Sequence, residues 1–519
     1  MHPFELFITD FIPKVASKSI QLNRALWLLE TTGSADAADL KANLDTELRL
    51  LFNDSSTFNQ LLLWDQELSD PLLKRQLNVL IRTFKQNQIP PSLLEEIAQK
   101  EAALSQSYAT FRPELHGKPL SENEIHDILK KENDPFLRKE VWAASKKIGN
   151  FLAPQILDLV ILRNRAAQSL GYSDYFQMQL DLQEVNREWL LQTFDTSSIA
   201  SDAAYTHLLN NIEEKLSARF GVPRDQLAPW AWSDPFCQSD PLDVDLDSLV
   251  SDLDIVQISK DYYQKMNIPV QSILERSDLF ERKGKNQHAF CINMDRASDV
   301  RTLNNLQPSM KWLETLLHEL GHAIYELGFD PHLPWLLREP PHMITTEAMA
   351  LLAGRQAYQT HFLKHLSDKE SLIHQAEKSL QRRQLIFSRW VLAMTFFESE
   401  LYRDPSQNLN KLWWDAVEKY QKIRPPANRQ QEHDWASKYH IGLAPVYYFS
   451  YLLGEFFASA IEESLIKKIG SKDIANPQAG AFLNKKLFYP GNTLSWNRLI
   501  EEVTGAPLTS EAWLKQFAD

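Results

Sequence analysis

Apolar residues recur at helical spacing along most of the chain, and this periodicity predicts a mainly helical, all-α protein. Seven amphipathic helices are predicted in the first 220 residues, at 11–29, 35–52, 71–86, 92–111, 122–131, 134–170 and 187–220. The segment 288–294, HAFCINM, is the one credible strand and predicts a small sheet.

The periodicity is lost between residues 228 and 254, where Trp, Pro and Asp dominate. We interpret this segment as a crossing between two helical lobes of a single domain that covers residues 1–519. The pair Pro90 and Pro91 predicts a hinge or turn rather than a linker between domains.

Composition limits the classes of partner. The chain carries 55 basic and 68 acidic residues, a net charge of −13 without a basic stripe, which argues against a nucleic-acid partner and a membrane-surface helix. It has no apolar run of about 18 residues and no basic segment leading into a long apolar run at its start. Its two cysteines are too few for a disulfide framework. We expect a cytoplasmic protein with no membrane partner, and the sequence does not indicate an oligomeric state.

The stretch 311–328, KWLETLLHELGHAIYELG, contains His318, Glu319 and His322 in a His-Glu-x-x-His pattern. Residues four apart on an α-helix lie on one face, so the two imidazoles can bind at two corners of a tetrahedral zinc site. Glu319 falls beside them, where its carboxylate can take a proton from water during hydrolysis. Chance gives about 0.03 such patterns in a chain of this length, so we favour a metal site over a surface helix with two solvated histidines.

A catalytic zinc usually has three protein ligands. Metzincins need a glycine three residues and a histidine six residues after the second histidine of the pattern. Tyr325 and Gly328 occupy those positions after His322, which excludes that class.

A carboxylate from a second helix is the other solution. Glu347 begins the predicted helical run 347–363, with Thr345 and Thr346 as possible caps. The alternative is an ordinary first-turn glutamate that the helix dipole favours. Taken with the His-Glu-x-x-His pattern, Glu347 is the candidate third ligand.

Ligands of this type and spacing resemble those of the gluzincin peptidases. The run 332–354, HLPWLLREPPHMITTEAMALLAG, resembles the segment around the third ligand in the angiotensin-converting enzyme family. The run 438–457, KYHIGLAPVYYFSYLLGEFF, resembles the Lys-x-His-Ile and closing tyrosine helix of that family, and is also similar to the Tyr-Tyr-x-Tyr-Leu stretch of the thimet oligopeptidase family. Both resemblances imply a two-lobed helical body with a deep central substrate channel and a small sheet near the zinc site.

The angiotensin-converting enzyme resemblance implies one zinc ion per chain, with His318, His322 and Glu347 as ligands and Glu319 as the general base. It also implies that Tyr451 and His440 donate hydrogen bonds to the oxyanion that forms at the peptide carbonyl. The alignment with the family needs a one-residue gap between His440 and Tyr451, so Tyr448 is an alternative to Tyr451 as the oxyanion donor.

The same resemblance implies that Lys438 and Tyr448 hold the free carboxylate of the substrate, and that His288 contacts substrate from a strand that pairs with the peptide. Tyr448 and Tyr451 are three apart on a predicted helix, so both can face one groove.

Three departures from the family pattern change the expectations. Leu351 stands where the family has an aspartate that orients a zinc histidine, so that orientation must come from another residue. Ser450 stands where the family has a chloride-linked arginine, which argues against chloride activation. The glutamine that helps hold the substrate carboxylate is replaced near Trp232.

These observations predict a zinc metallopeptidase that acts on short peptides. Dipeptidyl carboxypeptidase activity, which releases C-terminal dipeptides, is the first choice. An oligo-endopeptidase of thimet type, which needs no free C-terminus, is the alternative. A non-catalytic peptide-binding protein that keeps the helical shell is the hypothesis from another class.

Overall fold

Helices make up most of the chain, as the periodicity predicts, with two short antiparallel sheets. The computed structural model describes residues 2–519. These residues form two compact units. Unit 1 contains the described residues up to Gln88, Asp245–Glu377 and Leu453–Ala512, and unit 2 contains Ile89–Val244, Lys378–Leu452 and Trp513–Asp519.

The chain passes between the units at five places, and one of them, between Val244 and Asp245, lies inside the aperiodic segment 228–254. Another lies between Gln88 and Ile89, just before Pro90 and Pro91, and the interpretation of that pair as a hinge or turn stays a prediction. The remaining three passages fall within helices, where the periodicity is unbroken and gives no signal. The single domain predicted for residues 1–519 and its deep central channel stay predictions.

Four helices form the N-terminal part of unit 1: α1 Pro3–Thr32, α2 Ala35–Leu51, α3 Ser55–Glu67 and α4 Pro71–Gln86. Ser34, Asp54 and Asp70 each accept a hydrogen bond from a backbone N–H of the helix that follows. The periodicity does not predict α3, and α1 begins earlier than predicted, because Pro3 is compatible with a first helical turn.

Unit 2 begins with six helices and a two-stranded sheet: α5 Pro91–Thr110, β1 Glu114–Leu115, β2 Lys118–Pro119, α6 Glu122–Lys131, α7 Pro135–Ser169, α8 Tyr175–Leu182, α9 Arg187–Ala200 and α10 Asp202–Phe220. The single helix predicted over 187–220 is interrupted at Ser201. Its hydroxyl donates to the Ser197 carbonyl oxygen at 2.7 Å, a local bond of the kind that competes with helix continuation.

The central segment of unit 1 contains α11 Ile255–Lys265, α12 Gln271–Arg276, β3 Phe290–Asn293, β4 Val300–Leu303, α13 Met310–Leu327, α14 Met343–Arg355 and α15 Thr360–Leu363. The two strands are antiparallel, with Phe290 opposite Leu303 and Asn293 opposite Val300. This sheet packs against α13. The strand predicted over 288–294 is therefore shorter than expected, and His288 lies before it.

The rest of the chain contains α16 Glu370–Arg403, α17 Leu409–Gln421, α18 Tyr439–Leu443, α19 Phe449–Ile469, α20 Pro477–Leu483, α21 Trp496–Thr504 and α22 Glu511–Phe517. Over residues 2–519, no helix has both the length and the apolar character needed to span a bilayer.

Helices α13 and α14 pack closely, and Gly321 allows this approach. A Cβ atom at Gly321 would lie 2.8 Å from the Ala350 Cα, closer than real Cβ atoms approach backbone. Helix α13 is also anchored on other sides, since the Tyr263 hydroxyl donates to the Leu317 carbonyl oxygen at 2.6 Å and the Tyr358 hydroxyl to Glu314 Oε2 at 2.8 Å. The contact fixes the register of the two helices that carry the candidate ligands.

We predict that Gly321→Ala lowers the free energy of unfolding by about 1–3 kcal/mol, because the added methyl forces two packed helices apart. Urea denaturation of wild type and variant measures the difference. Gly354→Ala on α14 is the matched control, since its Cβ would meet its nearest neighbours at 3.4 Å. That variant should be neutral or more stable by up to about 1 kcal/mol, as expected for Gly to Ala in a helix. Equal stability of Gly321→Ala and wild type would contradict the prediction.

Candidate functional site

Helix α13 presents its two histidines on one face, as the four-residue spacing predicts. Ser309 caps the helix by accepting from the Trp312 N–H at 3.3 Å, and the helix ends at Gly328. The His318 and His322 rings lie 4.9 Å apart between centroids, at 82° to each other. Their approach is therefore set by a regular helix and needs no special loop.

Glu347 projects from α14, but not from the position expected. The N-cap is His342, whose Nδ1 accepts from the Ile344 N–H at 2.9 Å, so Thr345 and Thr346 lie inside the helix. The prediction that these two threonines cap the helix is wrong, because the helix begins four residues before Glu347. As the fifth helical residue, Glu347 lies beyond the first turn, which weakens its interpretation as a dipole-stabilising glutamate.

The two helices bring three potential ligands together. His318, His322 and Glu347 each place one donor atom within 4.8 Å of the other two. We call these three residues the donor trio. The Nε2 atoms of His318 and His322 lie 3.8 and 3.9 Å from Glu347 Oε2. Ligands bound tetrahedrally at zinc bond lengths of 2.0–2.1 Å are separated by about 3.4 Å, so two imidazoles and a carboxylate at this spacing fit Zn²⁺.

Burial keeps both imidazoles neutral. It lowers the pKa of His318 to about 4, and burial together with the neighbouring His318 places the pKa of His322 well below its ordinary range. Both rings are then unprotonated at pH 7, the state that metal binding requires. Burial, followed by the nearby Glu455 carboxylate, raises the pKa of Glu347 to about 7. A divalent cation at the donor trio would favour the ionised form of Glu347.

Glu319 lies next to the first histidine and is 6% exposed. Burial raises its pKa to about 8, with a further contribution from the Glu347 carboxylate. A raised pKa means a more basic carboxylate, and a bound cation would counter this shift. Glu319 therefore combines the chemistry of a proton acceptor with a position beside the donor trio.

Thr346, which the sequence suggests as a cap, contacts one of the two histidines instead. With His322 Nε2 directed at Glu347, the Nδ1–H donates to Thr346 Oγ1 at 2.7 Å. This bond fixes the tautomer and the ring orientation of His322. Leu351, which replaces the aspartate of the family pattern, is apolar, so Thr346 supplies an orienting contact from the residue directly before Glu347.

Helix α19 closes the donor trio from another side. A Cβ at Gly454 would lie 3.2 Å from Glu347 Cβ, so a glycine permits this approach. The next residue, Glu455, forms a buried ion pair with Arg355, which also donates to Ser459 Oγ at 3.0 Å. This pairing offsets part of the negative charge close to Glu347.

Unit 2 contains Lys438 in an aromatic enclosure. Its Nζ lies 5.0, 5.2 and 5.7 Å from the ring centroids of Phe236, Trp390 and Tyr448, and donates to Gln238 Oε1 at 3.2 Å. We call these five residues the anchor cluster. Over the described residues, no carboxylate lies within ion-pair distance of this ammonium, although Lys438 is only 9% exposed; Asp234 acts on it from farther away. Burial lowers its pKa to about 8, so it is mostly charged at pH 7.

Gln238 corrects the expectation that no glutamine accompanies the lysine. It lies in the aperiodic segment six residues after Trp232, which the sequence pattern could not place. Asp234 shapes this loop by accepting from the backbone N–H groups of Phe236, Gln238 and Ser239. In the sequence, the Asp-Pro pair at residues 234–235 is the signal for this turn.

The proposed oxyanion donors pack together in unit 2. The His440 and Tyr448 rings lie 4.7 Å apart, and the Tyr448 and Tyr451 rings 5.5 Å apart. Tyr448 precedes the first residue of α19, so the prediction that it lies on the same helix as Tyr451 is wrong by one residue. Burial, followed by the nearby Lys438 charge, lowers the pKa of His440 to about 4, which leaves its ring neutral.

Two other predicted residues have different surroundings. His288 is exposed in a bend before β3, with its backbone N–H donating to Asn286 Oδ1 at 2.9 Å, and it is not part of the donor trio. Ser450 is buried at the start of α19, and its hydroxyl has no hydrogen-bond partner within residues 2–519. The roles given to both positions stay predictions.

A helical body with a His-Glu-x-x-His helix and a distant glutamate has the donor set of the gluzincin metallopeptidases. The chain belongs to the angiotensin-converting enzyme family, whose profile matches residues 4–226 and 247–518. The family assignment confirms the resemblance and makes the chain a member of a metallopeptidase family.

Individual relatives are distant. Angiotensin-converting enzyme of Mesocricetus auratus is 23% identical over 505 residues, covering 87% of this chain and 38% of that protein. The protein of the same name from Mus musculus is 27% identical over 247 residues, covering 44% of this chain and 19% of that protein. The one from Oryctolagus cuniculus is 22% identical over 435 residues, covering 76% of this chain and 33% of that protein. The chain thus spans less than two fifths of the length of these relatives.

We predict that Thr346→Val lowers the affinity for zinc about 10- to 100-fold, because the isosteric side chain leaves the His322 Nδ1–H unpaired. Chelator competition measures the affinity, and Thr346→Ser should stay close to wild type. Thr345→Val is the matched control: Thr345 is also buried in α14, but its hydroxyl accepts from Tyr325 rather than from a histidine. Wild-type affinity in Thr346→Val would contradict an orienting role.

Proposed function

We propose that this protein is a zinc-dependent peptidase that removes dipeptides from the C-terminus of short peptides. The observation that carries this choice is the anchor cluster, which holds a buried ammonium with no carboxylate within ion-pair distance in the described chain, since Asp234 acts on it only from farther away. A buried charge is unfavourable unless it is paired, so a peptide carboxylate is the natural partner for Lys438.

Zinc bound by the donor trio would polarise the scissile carbonyl and lower the pKa of the attacking water. Glu319 accepts the proton of that water, since its carboxylate is buried beside the donors. It then passes the proton to the leaving amine. One carboxylate therefore serves first as base and then as acid.

Tyr451 and His440 donate hydrogen bonds to the oxyanion that develops on the carbonyl oxygen. A neutral imidazole and an un-ionised phenol each keep a proton to donate, and the low pKa of His440 supports the neutral form. Such a donor in a site that excludes water contributes roughly 3–4 kcal/mol to transition-state stabilisation. Tyr448, whose ring contacts both, is the alternative donor.

Lys438, Gln238 and Tyr448 hold the substrate carboxylate. The ammonium supplies the charge, and the Gln238 amide and the Tyr448 hydroxyl add neutral donors. Gln238 restores a third group to this set, which strengthens the choice of dipeptide release over internal cleavage. His288 is retained as a candidate substrate contact on the strength of the family resemblance alone.

We predict that Glu319→Gln leaves zinc bound but reduces kcat by at least about a thousandfold, because an amide cannot accept the proton. Metal analysis of the purified variant and digestion of an unmodified decapeptide report the two properties separately. Hydrolysis at the wild-type rate would overturn the role of Glu319. If the wild-type protein binds several peptides but cleaves none, the result would favour the hypothesis of a non-catalytic peptide-binding protein.

We predict that C-terminal amidation of a peptide lowers kcat/KM by about tenfold or more, since a charge-assisted hydrogen bond to Lys438 contributes about 1.5–3 kcal/mol. Mass spectrometry of the fragments also reports whether dipeptides are released. Equal rates for the acid and the amide, with cleavage at internal bonds, would replace this proposal by the oligo-endopeptidase alternative.

Three variants and a pH series sharpen this comparison. Lys438→Met should remove the preference for the free acid, whereas Lys139→Met, at an exposed lysine 4.8 Å from the Trp230 ring centroid, should retain it. Gln238→Glu should raise KM for the acid by giving the ammonium an internal partner. Because the pKa of Lys438 is about 8, KM for the acid should rise between pH 7 and 9, while the amide shows no such change.

A further inference from the structure

The turn between α18 and α19 contains a strained residue. Val446 has a φ of 56°, a left-handed conformation that is unfavourable for a β-branched side chain. The residue is buried, so neither its side chain nor its backbone N–H can turn to solvent. Such strain persists only where the surrounding structure holds it. The turn lies between His440 on one side and Tyr448 and Tyr451 on the other.

Glu398 on α16 holds the strained residue from inside the protein. Its Oε1 accepts from the Val446 N–H at 3.0 Å, and the side chain is buried. A carboxyl group in such a place is costly and needs a compensating interaction. Burial raises the pKa of Glu398 to about 8, so the group is mostly un-ionised at pH 7 and resembles a glutamine in shape and charge.

The end of α18, which leads into the turn, is held by a different group. Arg163 Nη2 donates to the Gly442 carbonyl oxygen at 2.7 Å, and the same guanidinium is fixed by Glu101 at 2.7 Å and by the Tyr402 hydroxyl at 3.2 Å. A Cβ at Gly442 would lie 2.6 Å from Leu104 Cδ2, so the end of α18 is also closely packed. The Glu398 contact therefore fixes the strained part of the turn at Val446, which leads into Tyr448 and Tyr451.

We propose that Glu398 is a positioning residue, which holds Val446 in the left-handed conformation and thereby sets the directions of Tyr448 and Tyr451. The inference rests on the proposed function, in which these tyrosines act on the peptide. Without the acceptor, the buried N–H of Val446 has no partner, and the backbone gains by returning to negative φ. That rotation displaces the chain that enters α19. Displacements of about 1 Å are enough to cost about a hundredfold in rate.

The first experiment compares Glu398→Gln with Glu398→Ala. Glutamine keeps an oxygen for the Val446 N–H, so its kcat/KM should stay within about threefold of wild type, whereas alanine should lose at least about tenfold, mainly in kcat. Zinc affinity should be unchanged in both. Glu400→Ala is the control, a partly exposed glutamate on the same helix that pairs with Arg403. An equal loss in the glutamine and alanine variants would overturn the proposal.

A second experiment separates positioning from general packing. Glycine adopts positive φ at little cost, so Val446→Gly removes the strain that Glu398 opposes. We expect Glu398→Ala to cost at most about threefold in kcat when made in the Val446→Gly background. Effects that simply multiply would show that the two positions are independent and would overturn the proposal.

A third measurement does not need activity. Hydrogen exchange at the Val446 amide, followed by mass spectrometry of overlapping fragments, should be slow in wild type and Glu398→Gln and at least tenfold faster in Glu398→Ala. If the wild-type protein cleaves no peptide, the proposed function fails, while this exchange pattern still reports whether Glu398 holds the turn. Equal exchange in all three proteins would overturn the inference by itself.

Discussion

The rest of the candidate site depends on one electrostatic constraint, the burial of the Glu347 carboxylate beside two neutral imidazoles. Burial keeps both rings unprotonated, so they offer lone pairs, but it also disfavours a carboxylate anion in the same place. A divalent cation satisfies both requirements at once. The close helix approaches at Gly321 and Gly454 are what allow the three side chains to meet.

The anchor cluster presents the opposite problem in unit 2. Lys438 is a buried cation surrounded by aromatic rings and one amide, which solvate an ammonium less well than water does. The donor trio suits a cation, and the anchor cluster suits an anion. The proposed function supplies both in the form of zinc and the carboxylate of a peptide, so two independent charge arguments lead to the same chemistry.

Periodicity was sufficient for the helical class and for most helix positions, and the four-residue histidine spacing predicted the geometry of α13. It failed where the information lies in long-range contacts. Thr346 looks like a cap in sequence, because nothing local shows that the helix begins at Met343 or that His322 needs an acceptor. Gln238 lies in an aperiodic loop 200 residues from Lys438, so only the folded chain shows that they meet.

The enclosure of Lys438 also bears on turnover under the proposed function. A dipeptide leaving group retains the same terminal carboxylate that anchored the intact peptide, so cleavage does not weaken its hold on the ammonium. The leaving fragment then competes with fresh peptide and can delay the next cycle. Tight binding of the peptide C-terminus therefore leads to product inhibition, and the rate at which the dipeptide dissociates limits kcat.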